Sequence, residues 1–168
     1  SEIDVENVAD SVALVLQPGS GDALQFMKAG ILEIPDLLIV HKWDLGAPAE
    51  QTRSELLRVL AALPRRQPDW EPPVIGASAQ TGAGVAEICE TLARHRAGLD
   101  RSGELEARRA RSRVAWALEL FERRYGSFGF ETLGGRASAE QIVRETPGSA
   151  LDAFTTLASR AGLESAPD

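Results

Sequence analysis

The chain has 168 residues, 43% of them apolar and 26% charged, a composition that excludes a disordered polypeptide and suits one compact domain plus an appendage. A net charge of -7 excludes general affinity for nucleic acid or anionic lipid, and no apolar run approaches the ~20 residues of a membrane-spanning helix. Cys89 is the only cysteine and His41 and His95 the only histidines, which excludes an intrachain disulfide, a cysteine-based zinc site and a histidine cluster.

The amino terminus, SEIDVENVAD, is acidic and lacks a basic start followed by an apolar block. It does not read as a signal peptide, and a reducing cytoplasm is the expected compartment. Val12 to Leu16 (VALVL) has no polar alternation and predicts a short strand covered on both faces, ended by the turn chemistry of Gln17 to Gly21. Asp22, with Gln25 three residues on, opens a predicted helix with Leu24, Met27 and Ile31 on one side. Pro35 closes it. Leu37 to Val40 (LLIV) is a second fully apolar run, so strand, helix and strand form a βαβ unit and the sheet is parallel.

After Gly46, Pro48 suits the first turn of a helix striped by Leu56, Val59, Leu60 and Leu63, and Pro64 stops it. A loop follows to Pro73, in which Trp70 packs locally. Val74 to Ala77 predicts a third strand. Ser78-Ala79-Gln80-Thr81-Gly82-Ala83-Gly84 then turns into a helix with Val85, Ile88, Cys89 and Leu92 on its apolar face, which makes Cys89 a small core hydrophobe.

From Asp100 the composition changes to long Arg- and Glu-rich helix. Arg101 to Arg113 reads as a solvated face; Val114, Ala117, Leu118, Phe121 and Tyr125 share a stripe, with Trp116 on a different side marking a second packing surface. Beyond the glycines at 126, 129, 134 and 135 come two short helical patterns, one from near Ser138 carrying Ile142 and Val143, the other from near Thr146-Pro147 carrying Leu151, Phe154 and Leu157. Both bury too little to stand alone and must dock on their own domain, a second copy or a partner. No Ser/His/Asp or paired-carboxylate arrangement is apparent.

Two strand ends carry chemistry. His41, Lys42 and Asp44 follow the second strand, and the carboxyl ends of parallel strands are where open α/β sheets keep their ligands. The Asp44 carboxylate can accept two hydrogen bonds from adjacent N–H groups of a guanine edge while the Lys42 stem lies along the ring. The segment resembles the Asn-Lys-x-Asp motif of P-loop GTPases, with His41 where those proteins have Asn. Ser78-Ala79, after the third strand, resembles their Ser-Ala element, in which a loop N–H donates to the guanine carbonyl. One βαβ unit apart in a parallel sheet, the two loops are expected to be neighbours and to converge on one base.

Ser1-Glu2, Asp10, VALVL, Pro18-Gly19-Ser20-Gly21-Asp22-Ala23-Leu24-Gln25, Lys28, Gly30-Ile31, Glu33-Ile34 and Asp36 together resemble the middle of a MeaB/ArgK-type protein. These are GTPase chaperones of adenosylcobalamin-dependent acyl-CoA mutases, also labelled lysine/arginine/ornithine transport ATPases. The resemblance implies a partial P-loop NTPase-like parallel α/β sheet of three recognisable strands with flanking helices, then a helical carboxyl-terminal extension. It divides the chain into residues 1–99, the guanine-recognition half of a G domain, and residues 100–168, a dimerisation arm. His41, Lys42, Asp44, Ser78 and Ala79 are then the GTP/GDP-binding residues, and a base lacking the donors is rejected by roughly 10⁴-fold because Asp44 is left buried and unpaired.

The only lysines are Lys28 and Lys42, and neither sits in a Gly-Lys-Ser/Thr phosphate loop. The expectation is that phosphate loop and magnesium ligands precede Ser1, so that hydrolysis belongs to the complete protein and this chain alone is inactive. His41 is expected to weaken or alter the nucleotide site, because the family's Asn ties the base loop to the phosphate loop. An exposed sheet edge and the helical arm imply a homodimer, and the family implies a cobalamin-dependent mutase as partner. The rival readings are a non-catalytic interaction or dimerisation module that docks a partner without nucleotide, and a small flavodoxin-like signalling domain.

Overall fold

The structure, a computed structural model, describes residues 5, 9–19, 31–64 and 69–163. Two compact units make up the chain, Ser1–Leu105 and Glu106–Asp168. In the first, three short strands form a parallel sheet: β1 (Ala13–Leu16), β2 (Leu37–Val40) and β3 (Val74–Gly76), in the order β1-β2-β3. The register pairs Leu14 with Leu38 and Leu38 with Val74. Three apolar runs thus lie side by side, as their lack of polar alternation predicts, and Leu37, Leu38 and Val40 are completely buried.

Helix α1 (Ala47–Ala62) has Pro in its first turn and packs Leu56, Val59, Leu60 and Leu63 against a core of Leu16, Leu32, Leu38, Val40 and Val74. The helix predicted to open at Asp22, with Leu24 and Met27, lies outside the described residues. Ile31, its last expected apolar position, sits in a 3₁₀ turn, Ile31–Glu33.

Helix α2 (Val85–Ser102) corrects one expectation. Its buried face is Thr91, His95 and Leu99, spaced by four residues as one face of a helix requires. Cys89 is exposed and Val85 is 48% exposed; Cys89 is about 200° around the helix from Thr91. Two polar residues occupy the buried face, and both have hydrogen-bonding partners. Thr91 accepts from Arg94 Nη2 at 3.0 Å, and His95 meets Ser11 and Asp36 as described below.

The second unit is helical: α3 (Glu104–Thr132), α4 (Arg136–Glu145) and α5 (Ala150–Arg160). Helix α3 kinks at Gly126 (φ 62°, ψ -159°), a backbone shape that favours glycine. Val114, Ala117, Leu118 and Phe121 form its buried stripe, Tyr125 is partly buried beside them, and Trp116 is exposed. The two short helices dock on this unit's own core through Ala139, Val143, Ala150, Ala153 and Leu157.

Leu151, expected in that stripe, is 64% exposed. The small residues at 150, 153 and 158 let α5 lie close, which turns Leu151 outward. Helix α5, expected to start near Thr146-Pro147, begins at Ala150 with Ser149 as its N-cap, where a reciprocal capping box with Asp152 satisfies the first turn. Arg113 is not simply part of a solvated face: its guanidinium donates to Thr146 O at 2.8 Å and Val143 O at 2.9 Å, covering carbonyls that the end of α4 leaves unpaired. Among the described residues, no helix is long and apolar enough to cross a membrane.

Candidate functional site

The loops after β2 and β3 meet at the carboxyl end of the sheet. His41 N–H donates to Leu16 O at 2.8 Å and prolongs the ladder by one residue. Lys42 then turns the chain in the left-handed region (φ 54°, ψ 46°), an unusual conformation for a residue with a side chain, costing of order 1–3 kcal/mol. A 3₁₀ turn, Trp43–Leu45, follows, and Gly46 closes it by donating to Trp43 O at 3.1 Å. Lys42 Nζ donates to Gln17 Oε1 at 3.1 Å, fastening the turn to the end of β1.

From the other side, Ala77 N–H donates to Val40 O at 2.8 Å and Trp43 N–H donates to Ala77 O at 3.0 Å, so backbone bonds join the two loops directly. Ser78 is fully buried and organises its own turn. Its N–H donates to Ala83 O at 3.0 Å and its carbonyl accepts from Gly82 N–H at 2.9 Å. Its Oγ accepts from the N–H groups of Gln80 at 3.2 Å and Thr81 at 3.4 Å, and its hydroxyl proton goes to Asp44 Oδ1.

That last bond is the contact between the two motifs. With the backbone N–H of Asp44 itself, it holds the Asp44 carboxyl below its ordinary value, and the nearby His41 and Lys42 add smaller pulls. Asp44 is therefore ionised at neutral pH. It is exposed rather than buried, which corrects the expectation of a buried acid: water reaches the unpaired carboxylate, so the penalty for a wrong base is smaller than the buried case gives. Ser78 occupies one of about four lone-pair sites on the carboxylate, leaving room to accept from two adjacent N–H groups. Ala79, next along the loop, is exposed, and His41 is half-buried. The structure thus brings Asp44 and Ser78 into contact, with Lys42 and Ala79 on the same rim.

A second polar cluster lies at the opposite end of the strands. Ser11 Oγ is 2.7 Å from His95 Nδ1, and His95 Nε2 is 3.3 Å from Asp36 Oδ1. No Ser/His/Asp arrangement is apparent in the sequence, because these residues lie far apart along the chain and only the fold gathers them. The geometry is that of an interior staple. His95 and Asp36 are each 2% exposed, Asp36 Oδ2 accepts from Val12 N–H at 2.9 Å, and Trp70 donates its Nε1–H to Asp36 O at 2.8 Å while its ring leans on His95 at an interplanar angle of 47°. Trp70, expected to pack locally, instead reaches Asp36 and His95, both distant in the chain. Among the described residues, no cluster of three or more His, Cys, Asp or Glu side chains suited to a metal ion exists.

The comparisons with known proteins bear on the same stretch. The family model described as methylmalonyl Co-A mutase-associated GTPase MeaB matches residues 1–127. The chain is 37% identical over 123 residues to a probable GTPase of Mycobacterium tuberculosis, covering 71% of this chain and 36% of the relative. It is 36% identical over 124 residues to the mitochondrial methylmalonic aciduria type A homolog of Mus musculus, covering 73% and 30%. With a putative GTPase of Caulobacter vibrioides it shares 34% identity over 168 residues, covering 97% and 51%.

The chain thus spans between 30% and 51% of the length of these relatives. A crystal structure of a LAO/AO transport system kinase matches with a TM-score of 0.60 at 20% identity, covering 92% of this chain and 53% of that one. That likeness concerns the fold: a three-stranded parallel sheet with flanking helices, part of a P-loop NTPase-like architecture. With the family model matched over most of its length, this chain belongs to the MeaB family of methylmalonyl-CoA mutase-associated GTPases.

Proposed function

We propose that this chain supplies the guanine-reading loops and the helical arm of a GTPase that serves as chaperone to an adenosylcobalamin-dependent acyl-CoA mutase. Asp44 accepts from the two N–H groups of the guanine edge, the Lys42 stem covers one face of the ring, and the Ala79 N–H, positioned by the Ser78 turn, donates to the guanine carbonyl. His41 stands where the motif has Asn and borders the same loop. Phosphate binding and magnesium belong to the complete protein, which hydrolyses GTP in the cytoplasm. Residues 1–99 carry the base site, and residues 100–168 form the arm through which two copies pair.

The observation that supports this reading most is the Ser78–Asp44 hydrogen bond. It joins the two motifs through their side chains and leaves an ionised, exposed carboxylate between them. The test is Asp44→Asn in the full-length gene product, with GDP and XDP binding measured by calorimetry. Asn presents a donor where xanthine has an acceptor, so preference should move from GDP to XDP by about 10²-fold. An unchanged preference removes Asp44 from the role, and no GDP binding by the unsubstituted full-length product would favour a docking module that takes no nucleotide.

A further inference from the structure

Between Lys42 and Asp44 stands a residue whose side chain faces the other way. Successive side chains of a 3₁₀ turn are about 120° apart, and while Asp44 is exposed, Trp43 is half-buried and packs against the sheet core. Its indole lies against Gly76, the last residue of β3. A Cβ built on Gly76 would clash with carbons of the indole, so only glycine admits the ring. Gly76 does not have a positive φ, and the exclusion of other residues is purely steric. A Cβ on Gly84 would clash with the Gly76 carbonyl oxygen, and Gly84 itself has φ +76°. Indole and Gly84 therefore both lie close against the Gly76 backbone.

These contacts bear on the base site because of where their members are attached. Trp43 is covalently next to Asp44; Gly76 lies two residues before Ser78; Gly84 ends the Ser78 turn, whose Ala83 carbonyl accepts from Ser78 N–H. The closeness of the indole to Gly76 sets how far the Asp44 loop stands from the Ser78-Ala79 loop. Hydrogen bonds lose strength steeply with small errors of distance and angle, so a site that reads a base from two loops depends on that spacing.

We propose that Trp43 is a positioning residue for guanine discrimination: its indole, seated on Gly76, holds the Asp44 carboxylate at the distance from the Ser78-Ala79 turn at which a purine bearing a 2-amino group is preferred. This rests on the reading of Asp44 as the guanine acceptor.

The experiment compares GDP with IDP, which lacks only the 2-amino group, by calorimetry on the full-length gene product. The unsubstituted protein should prefer GDP by about tenfold to hundredfold, the range of one hydrogen bond to a charged group. Trp43→Ala should cut that ratio to within about threefold, while Trp43→Phe, which keeps a flat ring over Gly76, should retain most of it. Gly76→Ala reaches the same end from the other side by lifting the ring, and should lower both the ratio and the melting temperature. In the Trp43→Ala background the same Gly76→Ala change should lower the melting temperature no further, because the obstructing ring is gone.

An equal loss of GDP and IDP affinity in Trp43→Ala, with the ratio intact, would reduce Trp43 to a packing residue and overturn the proposal alone. A ratio near one in the unsubstituted protein would instead overturn the guanine reading of Asp44, and the proposal with it.

Discussion

Phe121→Ala should unfold the helical unit while leaving the sheet folded. Phe121 is completely buried and its ring meets Tyr125, Phe130 and Phe154 at centroid distances of 5.1, 5.3 and 6.4 Å, so one residue joins the two limbs of kinked α3 to α5. Truncating a buried Phe costs about 3–5 kcal/mol. A unit running only from Glu106 to Asp168 has roughly 3–9 kcal/mol to lose at ordinary stability per residue. The substitution therefore removes much or all of its stability. The core around Leu38 and Leu56 shares no residue with the core around Phe121, so the loss should stay local. Hydrogen exchange read by mass spectrometry gives the answer peptide by peptide: protection should vanish across α3 to α5 and persist across β1 to β3. Parallel loss in both regions would show that the separate cores do not make separate cooperative units, and full retention in both would show that Phe121 is not central to its own core.

Two further substitutions probe single side-chain contacts. Arg113→Met keeps the length of the stem but removes both donors to the end of α4, and should cost about 1.5–3 kcal/mol in urea denaturation; Arg113→Lys should recover only part, since an ammonium cannot fork to two carbonyls. Ser78→Ala deletes the hydroxyl that holds Asp44 below its ordinary value of 3.8. A carboxyl lowered on folding adds stability that is present above its unfolded value and lost as pH falls through the folded one. The destabilisation by Ser78→Ala should accordingly be largest near neutral pH and shrink below about pH 4, and a pH-independent penalty would mean that Asp44 gains nothing from the hydroxyl.

The strands were legible because three short runs, VALVL, LLIV and the one from Val74, have no alternation and are bounded by turn residues, a pattern with few competing explanations. Helix α1 was legible from its prolines. The meeting of Asp44 with Ser78 followed from topology alone: residues at the carboxyl ends of adjacent parallel strands have nowhere else to go. What stayed hidden depended on partners distant in the chain. The phase of α2 was misjudged because Cys89 and Val85 look more apolar than Thr91 and His95, and only Ser11 and Asp36, more than 50 residues upstream of His95, make burying the imidazole tolerable. Trp43 was passed over as the variable position of a motif; the signal that could have found it is the glycine at the end of β3, a residue that weakens a strand unless something must approach its backbone.

The two ends of this sheet show how a structural acid differs from one fit to bind. Asp36 has one oxygen accepting from Val12 N–H and the other 3.3 Å from His95, its backbone carbonyl accepts from Trp70, and it is 2% exposed. Both carboxylate oxygens and the backbone carbonyl are engaged inside the fold, and the result is a joint between β1, β2 and α2. Asp44 is anchored through Ser78 yet exposed, so its orientation is fixed while most of its accepting capacity faces outward. A carboxylate anchored on one side and open on the other is preorganised; buried and engaged through both oxygens it would be spent, and held by none it would lose to rotation much of what a ligand gives it. The Ser78 side chain, buried where Asp44 is not, is what keeps Asp44 in the first condition.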